Sequence, residues 1–318
     1  MRRTFIALRR ATFLLLVAAC GARSGLFAEE DVAVGVSDGG ALADVTQPAL
    51  DATTFDDGGS TLDVRPPTDV FRADCPDADS LLVYTMTDTN ELQSFDPATG
   101  QFRPITRIAC PTSPGDTPFS MAVDRRGIAY VLFNQSHRLF RVSTATGACV
   151  ATSFAPNQQN FQLFGMGFAT NAGGPAETLY VAGDSNRGGA GGLASIDTTT
   201  FDLSVISAGS TVTSSELTGT GDGRLFGFYR KGTTSPPSFI GQLDTDTGAV
   251  LGERRFASIA QGTGWAFAYW GGDFYMFHAP NSQTLVTRWR PSDDTLVQVA
   301  STSLKIVGAG VSTCAPQQ

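Results

Sequence analysis

The stretch IVGAGVS, residues 306–312, decides the fold of this chain. Its apolar run predicts a β-strand in which glycine and alanine stand where bulky residues are usual. No further strand follows it in the sequence, and a single strand is not stable without a partner. The partner must therefore come from an earlier part of the chain.

A repeated pattern in the preceding residues indicates where that partner lies. Segments that resemble a strand followed by a turn recur at 92–100, 139–147, 193–201, 239–248 and 285–294, in the first case as LQSFDPATG. Residues at one equivalent place in these segments are separated by 47, 54, 47 and 47 positions. They are Asp96, Ser143, Asp197, Asp244 and Pro291. Regular spacing of this size is typical of repeat architectures.

Each unit contains four short strand candidates and shows no helical periodicity. Tight turns such as Asp222-Gly223 and Gly271-Gly272 join the first two candidates of a unit, as two-residue hairpins require. An Asp-x-x-Thr-Gly element between the third and fourth candidates predicts another turn, with the aspartate bonded to backbone amides and the glycine at positive φ. The units are therefore predicted to be four-stranded antiparallel sheets.

These units resemble the blades of β-propellers of the loosely defined NHL, WD40-like and YVTN types, over residues 81–313. The first strand of each unit is rich in small residues, as crowding at a central channel requires, but the unit that begins at Leu81 lacks such a strand. Residues 306–312 supply it. The prediction is an all-β propeller of five four-stranded blades, closed by the C-terminal strand; an open stack of sheets, or six blades with one degenerate, are the alternatives.

The N-terminus predicts export. Arginines at the start precede the short apolar run 12–19, which is far below the roughly 20 residues that span a bilayer. The run ends in Val17-Ala18-Ala19-Cys20, which resembles the lipobox of bacterial lipoproteins. The resemblance implies that residues 1–19 are a signal peptide, that Cys20 carries lipid, and that Gly21 after it favours the outer membrane. An ordinary signal peptide is the alternative.

The segment that follows has the composition of a disordered tether. Residues 28–72 contain ten acidic and two basic residues, and that balance equals the net charge of −8 of the whole chain. We therefore divide the chain into a signal peptide at 1–19, a lipidated tether at 20–72 and a propeller at 73–318. Because the propeller is not basic, nucleic acid is an unsuitable partner. We also expect the protein to be a monomer.

Four cysteines remain if Cys20 is acylated, and an even number in an exported protein predicts two disulfide bonds. Three pairings are possible. Closure of the ring favours Cys75–Cys314, which would join the two ends of the propeller. Cys110 and Cys149 would then link the rims of neighbouring blades.

Candidates for catalysis or metal binding are weak, so we predict no catalytic, cofactor or metal residue. The two histidines, His137 and His278, lie near predicted turns and strand ends, where structural roles are more frequent. No Cys-x-x-Cys or Gly-x-Ser-x-Gly motif is present. Asp222 and Asp273 are expected in hairpin turns.

Two acidic segments, DTNE at 88–91 and DTDTG at 244–248, lack the spacing of calcium loops. The glycine-rich segment DSNRGGAGG at 184–192 lies between two strand candidates, and no predicted helix follows it to hold a phosphate. A set of aromatic residues is expected mainly between blades, with some at the rim able to stack on sugars. They are Trp265, Tyr269, Trp270, Phe274, Tyr275 and Phe277.

Two functions are compatible with these observations. The first is a membrane-anchored envelope lipoprotein whose propeller binds a protein, peptide or glycan. The second is a propeller enzyme, a hydrolase or lyase acting on an extracellular or periplasmic substrate, as in propeller families that use carboxylates, histidines or calcium at the channel. Three or more carboxylates or histidines converging at the channel mouth would favour the enzyme.

Overall fold

The computed structural model describes Cys75 and residues 82–172, 175–209, 212–232 and 235–317. The predicted signal peptide, the lipidation site Cys20 and the acidic tether lie outside the described residues and remain predictions.

Twenty β-strands and two single 3-10 turns make up the regular structure of the described residues. The strands are β1 (Val83–Thr87), β2 (Glu91–Asp96), β3 (Gln101–Arg107), β4 (Pro118–Val123), β5 (Ile128–Phe133), β6 (Leu139–Ser143), β7 (Cys149–Ala151), β8 (Phe164–Thr170), β9 (Glu177–Gly183), β10 (Gly192–Ile196), β11 (Leu203–Ala208), β12 (Thr213–Gly219), β13 (Leu225–Arg230), β14 (Ser238–Leu243), β15 (Val250–Phe256), β16 (Trp265–Trp270), β17 (Asp273–His278), β18 (Thr284–Arg290), β19 (Thr295–Thr302) and β20 (Ile306–Gly310).

These strands form five antiparallel sheets of four strands each, which confirms the predicted five-bladed β-propeller. Blades 2 to 5 contain β4–β7, β8–β11, β12–β15 and β16–β19, each in consecutive order. Blade 1 has the order β20-β1-β2-β3, so its inner strand comes from the end of the chain. The pairing sets Tyr84 opposite Gly310 and Thr85 opposite Ala309. Residues 306–310 are thus the missing inner strand, as predicted.

The inner strands β20, β4, β8, β12 and β16 form a closed ring, in which each contacts the inner strands of both neighbouring blades. Glycines permit this approach. A Cβ atom built on Gly165 would lie 1.9 Å from the carbonyl oxygen of Ser215, and one built on Gly310 would lie 2.7 Å from the amide nitrogen of Val123. Small residues are therefore required where backbones of adjacent blades nearly touch.

Apolar side chains are buried between the blades rather than in one central core. Each of the five blade interfaces has its own cluster of buried residues. At the interface between blades 5 and 1, for example, the rings of Phe95 and Phe277 meet edge to face at 5.4 Å. Burial of apolar surface contributes about 25 cal/mol per Å² to the free energy of unfolding, so these interfaces hold the ring together.

The turns between third and fourth strands have the predicted chemistry. The Asp96 carboxylate accepts a hydrogen bond from the Ala98 amide at 2.9 Å, and the Asp244 carboxylate accepts one from the Thr247 amide at 2.8 Å. Gly100 and Gly248 both have φ of +70°. The repeated Asp-x-x-Thr-Gly elements therefore stabilise turns through interactions between residues close in sequence.

Two disulfide bonds, Cys75–Cys314 and Cys110–Cys149, are present, and they are the pairs expected from closure of the ring. The first encloses a sequence separation of 239 residues and joins the two ends of the propeller. The second ties blade 1 to blade 2. Covalent pairing of this kind is compatible with an extracellular or periplasmic location.

Deleting residues 305–318 is expected to unfold the whole propeller rather than fray one blade. Without β20, β1 loses its inner partner and β4 and β16 lose the strand that separates them. Circular dichroism and urea unfolding of the purified proteins measure the effect. A chain that lacks only residues 316–318 keeps β20 and the disulfide bond, so it should remain folded. A 305–318 deletion that melts like the parent would show that the ring does not depend on β20.

Candidate binding site at the open end of the channel

The two ends of the central channel differ. We call the end where the inner strands begin the open end, and the end where they finish the closed end. Residues 312–317 lie across the closed end. The Thr313 hydroxyl donates to the Glu177 carboxylate at 2.9 Å, and the Gly271 amide donates to the Pro316 carbonyl at 2.8 Å.

Further contacts extend this cover to the remaining blades. Tyr269 donates its hydroxyl hydrogen to the Gln317 carbonyl at 3.0 Å, and the Arg125 guanidinium lies 3.5 Å from the Cys75 sulfur. A Cβ atom on Gly221 would meet the Thr313 carbonyl oxygen at 2.5 Å. The tail and its disulfide bond therefore touch all five blades and block this end.

At the open end the channel widens into a cavity of about 150 Å³, which we call the mouth pocket. Its walls come from the first residues of inner strands and from the loops that follow β1, β5 and β9. The residues that line it are Asp88, Thr117, Pro118, Phe119, Asn134, Arg187, Glu216, Thr263, Gly264, Trp265, Lys305 and Val307. All five blades or their connecting loops contribute, so the pocket exists only in the closed ring.

A carboxyl group forms the floor of the mouth pocket. Glu216 on β12 is 3% exposed, and it accepts a hydrogen bond at 2.7 Å from the Ser120 hydroxyl on β4. The bond joins blade 4 to blade 2, and blade 3 lies between them in the ring, with Gly165 and Gly167 allowing β8 to approach β12 closely.

The protonation of this carboxyl is shifted. Burial raises the pKa of Glu216 well above its ordinary value; the Ser120 hydroxyl and the Met166 amide oppose the shift, and the nearby Asp184 carboxylate adds to it. Among the described residues no ion pair joins Glu216 to a cation. The protonated acid is therefore favoured, because a buried carboxylate without a counter-charge is costly.

Two cations stand at the rim from blades that are not adjacent. The Lys305 ammonium, before β20, pairs with Asp88 at 2.6 Å, and its side chain is 34% exposed. The Arg187 guanidinium follows β9, lies 3.5 Å from the buried Asp184 carboxylate, and is 43% exposed. Each cation is held by one acid and still faces solvent.

Aromatic rings complete the walls. The Arg187 guanidinium lies 5.2 Å from the centroid of Phe119, a cation–π contact that fixes both groups. Trp265 is 9% exposed, and its indole nitrogen is buried without a hydrogen-bond acceptor among the described residues. An unpaired buried donor of this kind costs about 1–3 kcal/mol.

The histidines considered in the sequence have separate structural partners. Nδ1 of His137 lies 2.7 Å from the Asn157 side-chain oxygen. His278 is buried, with its two ring nitrogens at 3.0 Å from the Ala260 carbonyl and 2.9 Å from the Thr287 hydroxyl. Burial lowers the pKa of His278. The structure does not bring the two histidines into contact with each other or with the mouth pocket.

The acidic candidates also have local roles. Asp222 lies in the predicted turn and pairs with Arg224 at 2.9 Å. Asp273 closes the Gly271-Gly272 turn opposite Trp270, and as the first residue of β17 it is also buried and pairs with Arg290 at 2.9 Å. In the segment 88–91, Asp88 pairs with Lys305. No group of three or more His, Cys, Asp or Glu side chains suited to a metal occurs among the described residues.

The glycine-rich segment 184–192 connects β9 to β10, as expected, but it is more than a passive connection. Its first residues form a 3-10 turn, Ser185–Arg187, and the Asp184 side chain accepts from the Asn186 amide there. This turn directs Arg187 to the mouth pocket. Asp88 and Glu216 are the acidic residues among the lining residues described, and Asp184, which pairs with Arg187, is a third acid beside the pocket that does not line it.

The aromatic set lies mostly between blades, as expected. Five of the six residues are buried, and Trp270 is partly buried against the same core. Tyr269 and Phe274 also border a cleft of about 500 Å³ between blades 4 and 5. That cleft is lined by residues of blades 4 and 5, whereas the mouth pocket draws on all five blades or their loops, so the mouth pocket is the stronger candidate site.

Sequence reasoning missed Glu216, Arg187, Lys305 and Trp265 as site residues. A glutamate within an inner strand of otherwise small residues was the one available signal, since charged residues are rarely buried without a function or a partner. The others are separated along the chain and meet only after the ring closes.

The assignment of the fold rests on the strand order alone. No protein-family model and no curated protein sequence matches the chain. A chain in the crystal structure of a nidogen/laminin complex is similar, with 10% sequence identity and a TM-score of 0.47, over 74% of this chain and 98% of that chain. In the part of the chain that the structure describes, no helix is long and apolar enough to cross a bilayer.

The closed end should make stability depend on pH through Glu177. Burial raises its pKa from the ordinary 4.5 to about 7, against hydrogen bonds from the Arg125 amide and Thr313 and with the Asp124 charge adding to the rise. A raised folded-state pKa gives stability that is complete below the unfolded value of 4.5 and is lost as pH rises through 7. The wild-type protein should therefore lose on the order of 2 kcal/mol between mildly acidic and mildly basic pH.

The matched variant is Glu177→Gln, which keeps the shape and cannot ionise. Urea unfolding across this pH range should show a flatter profile for the variant than for the wild type. If the free energy of unfolding depends on pH in the same way for both proteins, ionisation of Glu177 does not contribute to that dependence.

Proposed function

We propose that this chain is an envelope lipoprotein whose β-propeller is a binding module, with a ligand that enters the open end of the channel. The observation that carries the proposal is the asymmetry of the channel. The tail blocks one end, while the other forms a pocket with cations at its rim and a buried acid on its floor. Loops on a rigid scaffold, converging on one concave site, are the usual place for recognition.

The anchor is proposed from the lipobox-like Val17-Ala18-Ala19-Cys20. Two disulfide bonds support an oxidising, exported location. Acyl chains bind a membrane with about 0.8 kcal/mol per buried CH₂ group, so more than one chain on Cys20 would hold the protein stably.

The position of Cys75 gives the proposed orientation. This residue is bonded to Cys314 at the closed end, so the tether would leave the propeller on that side. A flexible chain of the length between Cys20 and Cys75 has a mean end-to-end distance of roughly 40 Å, and its acidic charge extends it further. The mouth pocket would then face away from the membrane, toward a protein, peptide or glycan ligand.

Cys20→Ala should abolish acylation. Metabolic labelling with a clickable fatty acid, followed by membrane fractionation, measures it: the variant should carry no label and leave the membrane fraction. Ser24→Ala, a similarly small change nearby, is the control and should remain labelled. Persistent label on Cys20→Ala would exclude a lipid anchor at this residue.

The ligand is expected to contact the mouth and not the closed end. A photo-crosslinking amino acid at Thr117, which lines the mouth pocket, should yield a discrete crosslinked product in intact cells. The same amino acid at Ala98, in an exposed turn at the closed end, should not. Thr263→Trp, which fills the pocket, should remove the Thr117 product without changing the unfolding midpoint. Equal products from both positions, or a product that survives Thr263→Trp, would contradict a ligand in the pocket.

A further inference from the structure

The mouth pocket has an excess of hydrogen-bond donors that are available to a guest. An ammonium has three donors and a guanidinium five, and among the described residues each rim cation is paired with one acid, Lys305 with Asp88 and Arg187 with Asp184. Their partial exposure leaves the remaining donors directed to solvent. The two cations come from blades 1 and 3, so together they bracket an entering group.

The acids near the pocket do not cancel this excess. Asp88 and Asp184 are each committed to a rim cation. Glu216 is bonded to the Ser120 hydroxyl and the Met166 amide, is fully buried, and has no cation beside it among the described residues. Its protonated form carries no charge that would repel an anion.

The residues in the walls of the mouth pocket also favour an anionic guest. The buried indole N–H of Trp265 has no acceptor among the described residues, and a guest oxygen would satisfy it. A second guanidinium, that of Arg230, lies 6.0 Å from the Trp265 ring and adds positive potential behind this wall. Lys305, Arg187 and Arg230 would repel a cationic guest, whereas an anionic guest would accept hydrogen bonds from the donors of Lys305 and Arg187 that Asp88 and Asp184 leave unused.

Size sets the final constraint. A cavity of about 150 Å³ admits a few non-hydrogen atoms, such as one terminal group and its first methylene or methyl group. A planar anion with two acceptor oxygens matches the fork of a guanidinium together with a second donor opposite.

We propose that the mouth pocket binds a carboxylate group, presented at the end of a ligand, between Lys305 and Arg187 with the Trp265 N–H as a third donor. The inference rests on the proposed function and narrows it to carboxylate-bearing ligands. Phe119 and the Trp265 ring would pack on the carbon next to the carboxylate.

The probes are N-acetylalanine and its neutral counterpart N-acetylalaninamide, which differ only in the terminal group. Acetate is the arm for a small free acid, and ethylammonium is the cationic comparison. The chain has three tryptophans, so ¹⁵N-labelled protein gives three indole signals, and Trp265→Phe identifies the one that matters. Titrations are carried out at constant ionic strength with chloride as the common anion.

The Trp265 indole signal should shift saturably with N-acetylalanine and should not respond to the amide or to ethylammonium. Lys305→Gln and Arg187→Gln should each weaken binding by about tenfold, as expected for one charge-assisted hydrogen bond. Lys305→Arg should retain binding because it keeps the charge. Asp88→Asn should strengthen binding several-fold because it releases Lys305. Acetate binding alone would show that the small acid, and not a chain terminus, is the ligand.

Unchanged affinity in Lys305→Gln, equal binding of acid and amide, or saturable binding of ethylammonium would overturn the assignment. So would an absence of response to every probe. The proposed function has a separate test, because the crosslinking experiment at Thr117 reports any ligand in the mouth whatever its charge. Unchanged unfolding midpoints of the variants show that a loss of binding is not a loss of fold.

Discussion

The backbone pairing of β20 with β1 is the interaction on which the rest of the structure depends. It gives blade 1 its inner strand and places β20 between β4 and β16, so the ring closes and the short inner edges of the five sheets are sheltered around the axis. Each interface between blades then buries its own apolar cluster. Since every blade or connecting loop contributes to the mouth pocket, the candidate site is itself a product of this pairing.

Architecture was predictable from the sequence because it repeats. The spacing of Asp96 and its equivalents fixed the unit, and the small residues of 306–310 identified the strand that closes the ring. Turns followed from residues close together in sequence, and the cysteine pairs followed from the closure. The turn position of Asp273 was predictable, but its ion pair with Arg290 was not, because it involves a residue 17 positions away, outside any local turn pattern.

The candidate site was not predictable in the same way. Glu216 and Ser120 are 96 positions apart on blades that are not adjacent, and the bond between them forms only when the ring brings these blades around one axis. Arg187 depends on a short 3-10 turn inside a glycine-rich connection. The composition of that connection correctly predicted a link between two strands, but it did not predict that the Arg187 side chain would line the mouth pocket. Sites on propellers depend on where loops converge, and this convergence is a property of the closed ring.

The bond between Cys75 and Cys314 has a mechanical consequence. If the protein is tethered through Cys75 and its ligand is held at the opposite end of the channel, tension between them reaches the domain by two routes, along the main chain to β1 and through the disulfide bond to β20. These two strands are hydrogen-bonded neighbours in blade 1, so the load is divided between them instead of acting on a single strand. The strand that completes the fold therefore also carries part of the load.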